Sequence, residues 1–326
     1  MRIVLLWMFF HALTDATGAM EVVRTLLYYY CSRRLGNALR AGHIRLAGDV
    51  IPSEEWEDPA PRFSEEPPDD SSEAQPPVLN LVRMAGLEHD TAKTVFSVSM
   101  DENQLMRFNS DNDASPATIA ALLLSRAIVS LYPESQYRTL INLCHNLRKA
   151  LGTPLAHQCL VGDIWLEYKE KMRKFPLAVQ ATMYRGMVFV QKQPEQALTV
   201  LRYINRSTRS MLAMSSDQER ALAAKKISEE LKHLRTATVS YVGKGNLGDA
   251  ERYIRDFHLW ASPMNEDLLL EITAVNGRFT LDFIQNFSSP IYVHAFLKQL
   301  EEVGIHYEQQ AAVPLKLPRI HLPWEE

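Results

Sequence analysis

The chain has 326 residues, 46% hydrophobic and 23% charged, with a formal net charge of −4. That is the composition of an ordinary globular protein with enough apolar material for a core of about two domains or lobes. It excludes the basic patch or stripe of a nucleic-acid binder, and runs such as EYKEKMRK interleave both signs, as a solvated helix face does.

Residues 2–10 form a continuous apolar run of strand length, consistent with a strand buried on both faces. Met1-Arg2 followed by IVLLWMFF also imitates the start of a signal peptide. However, His11, Thr14 and Asp15 interrupt the run, which is too short to span a bilayer. A polar turn follows, and Val22, Val23, Leu26, Leu27 and Tyr30 then place one apolar face on a helix over 19–30. The chain therefore opens as strand, turn and helix, with His11 at the end of the strand.

Residues 52–77 hold seven prolines and a run of acids, too little apolar surface to fold alone. They read as a linker with Trp56 and Phe63 as its only anchors. Val95 to Met100 read as a strand. Ser115-Pro116 starts a helix running to about Leu131, with Ser as N-cap and Pro at the first helical position. Its stretch IAALLLSRAIV is apolar all round and predicts a central buried helix. A strand is expected over 139–143, leading into Asn146-Leu147-Arg148.

Residues 163–214 read as mostly helical. Ser216-x-x-Glu219 is a capping box, and Ala224, Ile227, Leu231 and Leu234 predict a core-facing helix stripe. A strand over 238–242 precedes a hairpin in which Asn276-Gly277 joins 268–275 to 278–284. Ser289-Pro290 starts a last helix that ends before Gly304, and a loose, proline-containing tail is expected after Gln310.

Three cysteines, Cys31, Cys144 and Cys159, with no C-x-x-C, imply no disulfide framework and fit a reducing, cytoplasmic compartment. Cys144-His145 and His157-x-Cys159 match none of the usual zinc spacings, so no metal is expected. Gly243, Gly245 and Gly248 write a literal G-x-G-x-x-G after a strand, with Asp267 at a distance that suits a ribose contact. An antiparallel hairpin follows rather than a second βαβ unit, which favours a plain loop over a dinucleotide site.

The residues with chemical promise are His11 and Asp15. A neutral imidazole accepts a proton near neutral pH, and a strand end would hold it rigidly. The structural alternative is an ordinary strand-end histidine followed by Asp15 as helix N-cap. Spacing alone leaves both open.

The run FFHALTDATGAMEVVRTLLYYY resembles the His-His-x-x-x-Asp-Gly turn and following helix of the chloramphenicol acetyltransferase-like superfamily. That superfamily includes the condensation domains of peptide synthetases, plant acyltransferases and alcohol acetyltransferases. The likeness is greatest to bacterial alcohol acetyltransferase-type proteins, whose turn often reads His-x-x-x-Asp-Gly-Thr-Gly. SPATIAALLLSRAI resembles the buried helix of the second lobe, and TVSYVG the strand that crosses between lobes. Asp256 to Trp260 lie where many members carry Asp-Phe-Gly-Trp-Gly.

The resemblance implies an α/β CoA-dependent acyltransferase fold. It divides the chain into the end of a first lobe (1–50), a linker or crossover (51–93), a second lobe (94–310) and a tail (311–326). His11 matches the catalytic histidine, and Asp15 matches a structural aspartate that pairs with an arginine, here Arg148. The implied activity moves an acyl group from acyl-CoA, as co-substrate, or from an acyl carrier protein to a small alcohol or amine acceptor. No bound cofactor, nucleic acid or membrane span is expected.

Several departures stand out. Phe10 replaces the first histidine, Ala16 the glycine after the aspartate, and both glycines of Asp-Phe-Gly-Trp-Gly are missing. Members carry further strands and helices ahead of the turn, so an N-terminally truncated first lobe is expected, with an exposed edge on 2–10. A degenerate, non-catalytic relative that binds a partner is the alternative.

Overall fold

The computed structural model describes residues 4–9, 11, 13–36, 39–59, 62, 76–231, 234–261 and 266–315. Phe10, Phe63 and residues 316–326 of the tail therefore lie outside the described residues.

The elements run in the order α1 (Ala16–Leu35), α2 (Leu81–Met84), β1 (Lys93–Asp101), α3 (Glu102–Asp111), α4 (Pro116–Leu131), β2 (Thr139–Asn146) and β3 (Val161–Tyr168). They continue through α5 (Leu177–Gln191), α6 (Pro194–Leu212), α7 (Asp217–Leu231), β4 (Ala237–Lys244), β5 (Leu268–Val275), β6 (Arg278–Gln285), α8 (Ile291–Glu302), β7 (Glu308–Gln309) and β8 (Val313–Leu315). The strands make one mixed sheet in the order β3-β2-β4-β5-β6-β1-β7, and β8 also pairs with β1. β4 runs parallel to both β2 and β5; the remaining pairs are antiparallel.

Strand side chains alternate between faces, and the two faces differ in chemistry. Phe96, Val98 and Met100 of β1, Phe279, Leu281 and Phe283 of β6, and Leu270 and Ile272 of β5 pack into the main core with α4 and α8. Ser115 caps α4 by accepting from the Thr118 N–H at 3.2 Å, Pro116 opens it, and its central residues, Thr118 to Ser125 with Ala127 and Ile128, are buried. The opposite face alternates out of register with this core. It carries Ser97 and Ser99 on β1, Asp282 on β6, Glu271 and Thr273 on β5, and Asn142 on β2, all buried. α1 packs on this second side, where Met20, Val23 and Leu27 meet Leu247 and Val275. No single helix among the described residues is long and apolar enough to cross a membrane.

Five expectations are corrected. Residues 4–9 are not a strand; Val4, Leu6 and Met8 are exposed, and none of the described strands pairs with the segment. Residues 163–168, the start of the stretch read as mostly helical, belong to edge strand β3, whose burial alternates strictly along VGDIWLEY. The α7 stripe does not face the core: Ala224 is exposed, Ile227 and Leu231 are half-buried, and Leu234 beyond the helix is exposed. Within the tail, Val313–Leu315 pairs with β1 rather than running loose. In the linker, Trp56 is exposed, while Glu55 is buried and ion-paired with Arg45.

Candidate active site

Asp15 is the N-cap of α1, accepting from the Gly18 N–H at 3.0 Å. The same carboxylate receives Arg148 in a two-pronged pair, Nη1 to Oδ2 at 2.8 Å and Nη2 to Oδ1 at 2.9 Å, and the Leu160 N–H at 2.9 Å. Arg148 also donates to the carbonyls of Ala156 (2.6 Å) and Gln158 (2.7 Å). Both partners are buried, at 2% and 3% exposure. A planar guanidinium matched to a carboxylate fixes orientation as well as distance. The β2–β3 connection is thereby bolted to the turn that precedes α1.

Two further contacts close the joint. Thr14 Oγ1 donates to the His157 carbonyl at 2.7 Å, and the Gly18 Cα sits against the same carbonyl. A Cβ at Gly18 would lie 2.4 Å from the His157 oxygen and 2.3 Å from Thr14 Oγ1, so this position has room only for glycine. Ala16, by contrast, is an ordinary first helical residue and is not among those with positive φ. The glycine requirement of this turn is therefore steric, at Gly18, and the alanine after the aspartate causes no backbone strain.

His11 lies in the turn itself, exposed, with Nδ1 3.8 Å from Cys159 Sγ. Burial and the neighbouring Asp15 charge push the Cys159 thiol up, so it stays protonated beside the imidazole. The three residues singled out in the sequence thus occupy one joint, with Asp15 and Arg148 in contact and His11 four residues ahead of the aspartate.

The polar sheet face contributes residues that the sequence reading passed over. Asp282 is fully buried, accepts from Ser97 Oγ, and lies 3.0 Å from His258 Nδ1 through either oxygen. His258 and Trp260 stand where the resemblance places glycines, and their rings meet at 5.8 Å. Glu271 lies directly opposite Asp282 across the β5–β6 pair and beside Ser240 of β4. Burial pushes its carboxyl up to about 7; a Ser240 hydrogen bond and the nearby His11 imidazole pull the other way, while Asp282 pushes it further up. Both acids sit mid-strand in LLLEITAV and RFTLDFIQ, and a single carboxylate inside so apolar a run was the available signal.

The glycine loop after β4 is consumed by packing. Gly245 N donates to the Ala274 carbonyl at 2.8 Å and its carbonyl accepts from Arg24 Nε at 2.9 Å. Asp267 precedes the other end of β5, 2.7 Å from His89 and 3.0 Å from Asn80, so the two halves of a dinucleotide site do not meet. Among the described residues no group of three or more His, Cys, Asp or Glu is placed to hold a metal ion.

No protein-family profile matches the sequence, and no curated protein matches it. Solved structures do. The epimerization domain from the third module of tyrocidine synthetase B matches with a TM-score of 0.52 and 9% identity over 90% of this chain and 66% of its own. Polyketide synthase associated protein 5 from Mycobacterium tuberculosis matches at 0.51 and 11% over 89% and 71%. TRI101 of F. sporotrichioides, in complex with coenzyme A and T-2, matches at 0.46 and 12% over 91% and 65%. The chain thus spans about two thirds of the length of these structures. At such identities the likeness is one of architecture: the chain shares the mixed α/β fold of that epimerization domain and of polyketide synthase associated protein 5.

Proposed function

We propose that this chain carries the site of an acyltransferase that moves an acyl group from an acyl thioester, acyl-CoA or an acyl carrier protein, to an alcohol or amine acceptor. The observation that carries the reading is the buried Asp15–Arg148 pair, which braces a turn in which His11 is exposed. In this reading the His11 imidazole takes the proton as the acceptor oxygen or nitrogen attacks the acyl carbon. The carbon–sulfur bond then breaks, and the departing thiolate recovers that proton from the imidazolium. Asp15 and Arg148 touch neither reactant and act by holding the turn.

The lobe boundaries implied by the resemblance, 1–50, 51–93, 94–310 and 311–326, and the special likeness to alcohol acetyltransferases belong to the same proposal. So does a cytoplasmic setting, which three free cysteines suit. A non-catalytic binding role is the second reading, favoured by the exposed apolar side chains of Val4, Leu6 and Met8 just ahead of the turn.

The test is transfer from acetyl-CoA to short alcohols and amines, with product followed by mass spectrometry. A general base contributes on the order of 10²–10⁴-fold, so His11→Ala should lose that much in kcat. Equal, measurable rates for the wild-type and His11→Ala chains would remove the base, and no transfer by the wild-type chain would leave the binding role.

A further inference from the structure

Cys159 lies in the β2–β3 connection, and the pair that braces the His11 turn holds its backbone from both sides. The Gln158 carbonyl accepts from Arg148 Nη2 at 2.7 Å, and the Leu160 N–H donates to Asp15 Oδ2 at 2.9 Å. Gln158 also donates Nε2 to the Trp56 carbonyl at 2.6 Å. The residue between these anchors is exposed, whereas Cys31 is buried and Cys144 half-buried. Its Sγ lies 3.8 Å from His11 Nδ1.

A thiol and an imidazole in contact, both carried on a braced joint, form the arrangement that activates a cysteine nucleophile. The thiol is inert without the base. Burial and the Asp15 charge hold it protonated, while the Val161 N–H and the Arg148 charge pull less strongly the other way. A neighbouring group must therefore take its proton, and the thiolate released from such a thiol is the stronger nucleophile. Cys159 and an external alcohol or amine would present the same problem to His11: an acceptor that must lose a proton as it attacks.

Resting on the acyl-transfer reading, we propose that Cys159 is an internal acyl acceptor of the His11 site, which takes an acyl group from acyl-CoA as a thioester on its own sulfur. His11 removes the thiol proton as Sγ attacks the acyl carbonyl carbon. The new carbon–sulfur bond forms at Cys159, the carbon–sulfur bond to CoA breaks, and the CoA thiolate takes the proton back from the imidazolium. One alkyl thioester replaces another, so the step needs no further reactant and free CoA reverses it. With no external acceptor bound, the chain thereby stores the acyl group beside the base.

The experiment incubates the whole chain with acetyl-CoA, without alcohol or amine, and follows it by intact mass spectrometry and peptide mapping. Wild type should gain a single acetyl group on Cys159, and free CoA should remove it. Cys159→Ala should gain no thioester-bound acetyl. His11→Ala and His11→Gln should each label Cys159 about 10²-fold or more slowly than wild type. An unlabelled wild type, label on Cys31 or Cys144 in place of Cys159, or labelling of Cys159 at the wild-type rate in both His11 variants overturns the inference. The last of these is the chemical acylation of an exposed thiol. Transfer to external acceptors separates the two claims. His11-dependent transfer with Cys159 unlabelled sinks the internal acceptor and spares the base. His11-dependent labelling of Cys159 with no transfer to any alcohol or amine supports the internal acceptor and removes the external ones.

Discussion

At the scale of single residues the strongest commitment in the molecule is the Asp15 carboxylate. It accepts two bonds from Arg148 and one each from Gly18 N and Leu160 N, all out of water. Removing one member of such a pair strands the other charge in a dry site, which costs about 3–5 kcal/mol. Asp15→Asn and Arg148→Met should each lose about that much in urea unfolding. The double variant should lose less than the two together, because it leaves no lone charge. Additive losses would mean that the pair is solvated and not a brace. Legibility at this scale follows chemistry. The contact between Asp15 and Arg148 was expected only from the family resemblance, because it spans 133 positions that spacing cannot bridge, and the role of His11 stands as a proposal. Glu271 and Asp282 passed unread because each stands alone in an apolar strand, and only the register of β5 against β6 brings them together.

Elements were legible where a local signal matches the final environment. α4 has its Ser-Pro start and all-round apolar composition, and β5 and β6 have Asn276-Gly277 between them. β3 was missed because its apolar residues alternate on an edge strand whose other face carries Asp163, Trp165 and Glu167, a pattern that a longer helical reading absorbed. The α7 stripe has helical spacing, but among the described residues α7 packs chiefly on α6 and not on the sheet, so periodicity overstated its burial. The hairpin turn gives a sharp prediction. Asn276 and Gly277 both have positive φ, 50° and 74°, the conformation that a two-residue turn between right-twisted strands requires. Asn276 also ties the turn to the segment after β4, donating Nδ2 to the Ile254 carbonyl at 3.0 Å and its N–H to Glu251 Oε1 at 2.7 Å. A Cβ at Gly277 meets no other atom, so Gly277→Ala probes backbone conformation alone. It should destabilise by about 1 kcal/mol or somewhat more, with a lowered urea midpoint and an unchanged m-value. A neutral Gly277→Ala would show that the turn relaxes out of the left-handed region.

For the whole molecule, the two-faced sheet sets how stability responds to pH. The polar face keeps Glu271 protonated well above the range of an exposed carboxyl, so between about pH 4.5 and 7 the folded chain holds a proton that the unfolded chain has released. Stability contributed this way is complete below pH 4.5 and is lost as pH rises through 7, by about 3 kcal/mol in all. His145, held down to about 4 by burial and by Lys192, acts in the opposite sense: its folded form refuses a proton that the unfolded chain binds, so its contribution grows as pH rises from 4 to 6.5. Its ring is partly solvated, which makes this offset the smaller one. The wild-type curve therefore mixes two slopes, and the difference between wild type and Glu271→Gln isolates one. Measured by urea unfolding from pH 4.5 to 8, the glutamine variant should gain on wild type by about 3 kcal/mol across the range, with most of the change complete by pH 7. A difference that does not vary with pH would mean that the Glu271 carboxyl titrates as it does in water. The polar face around Glu271 would then be open to solvent rather than buried.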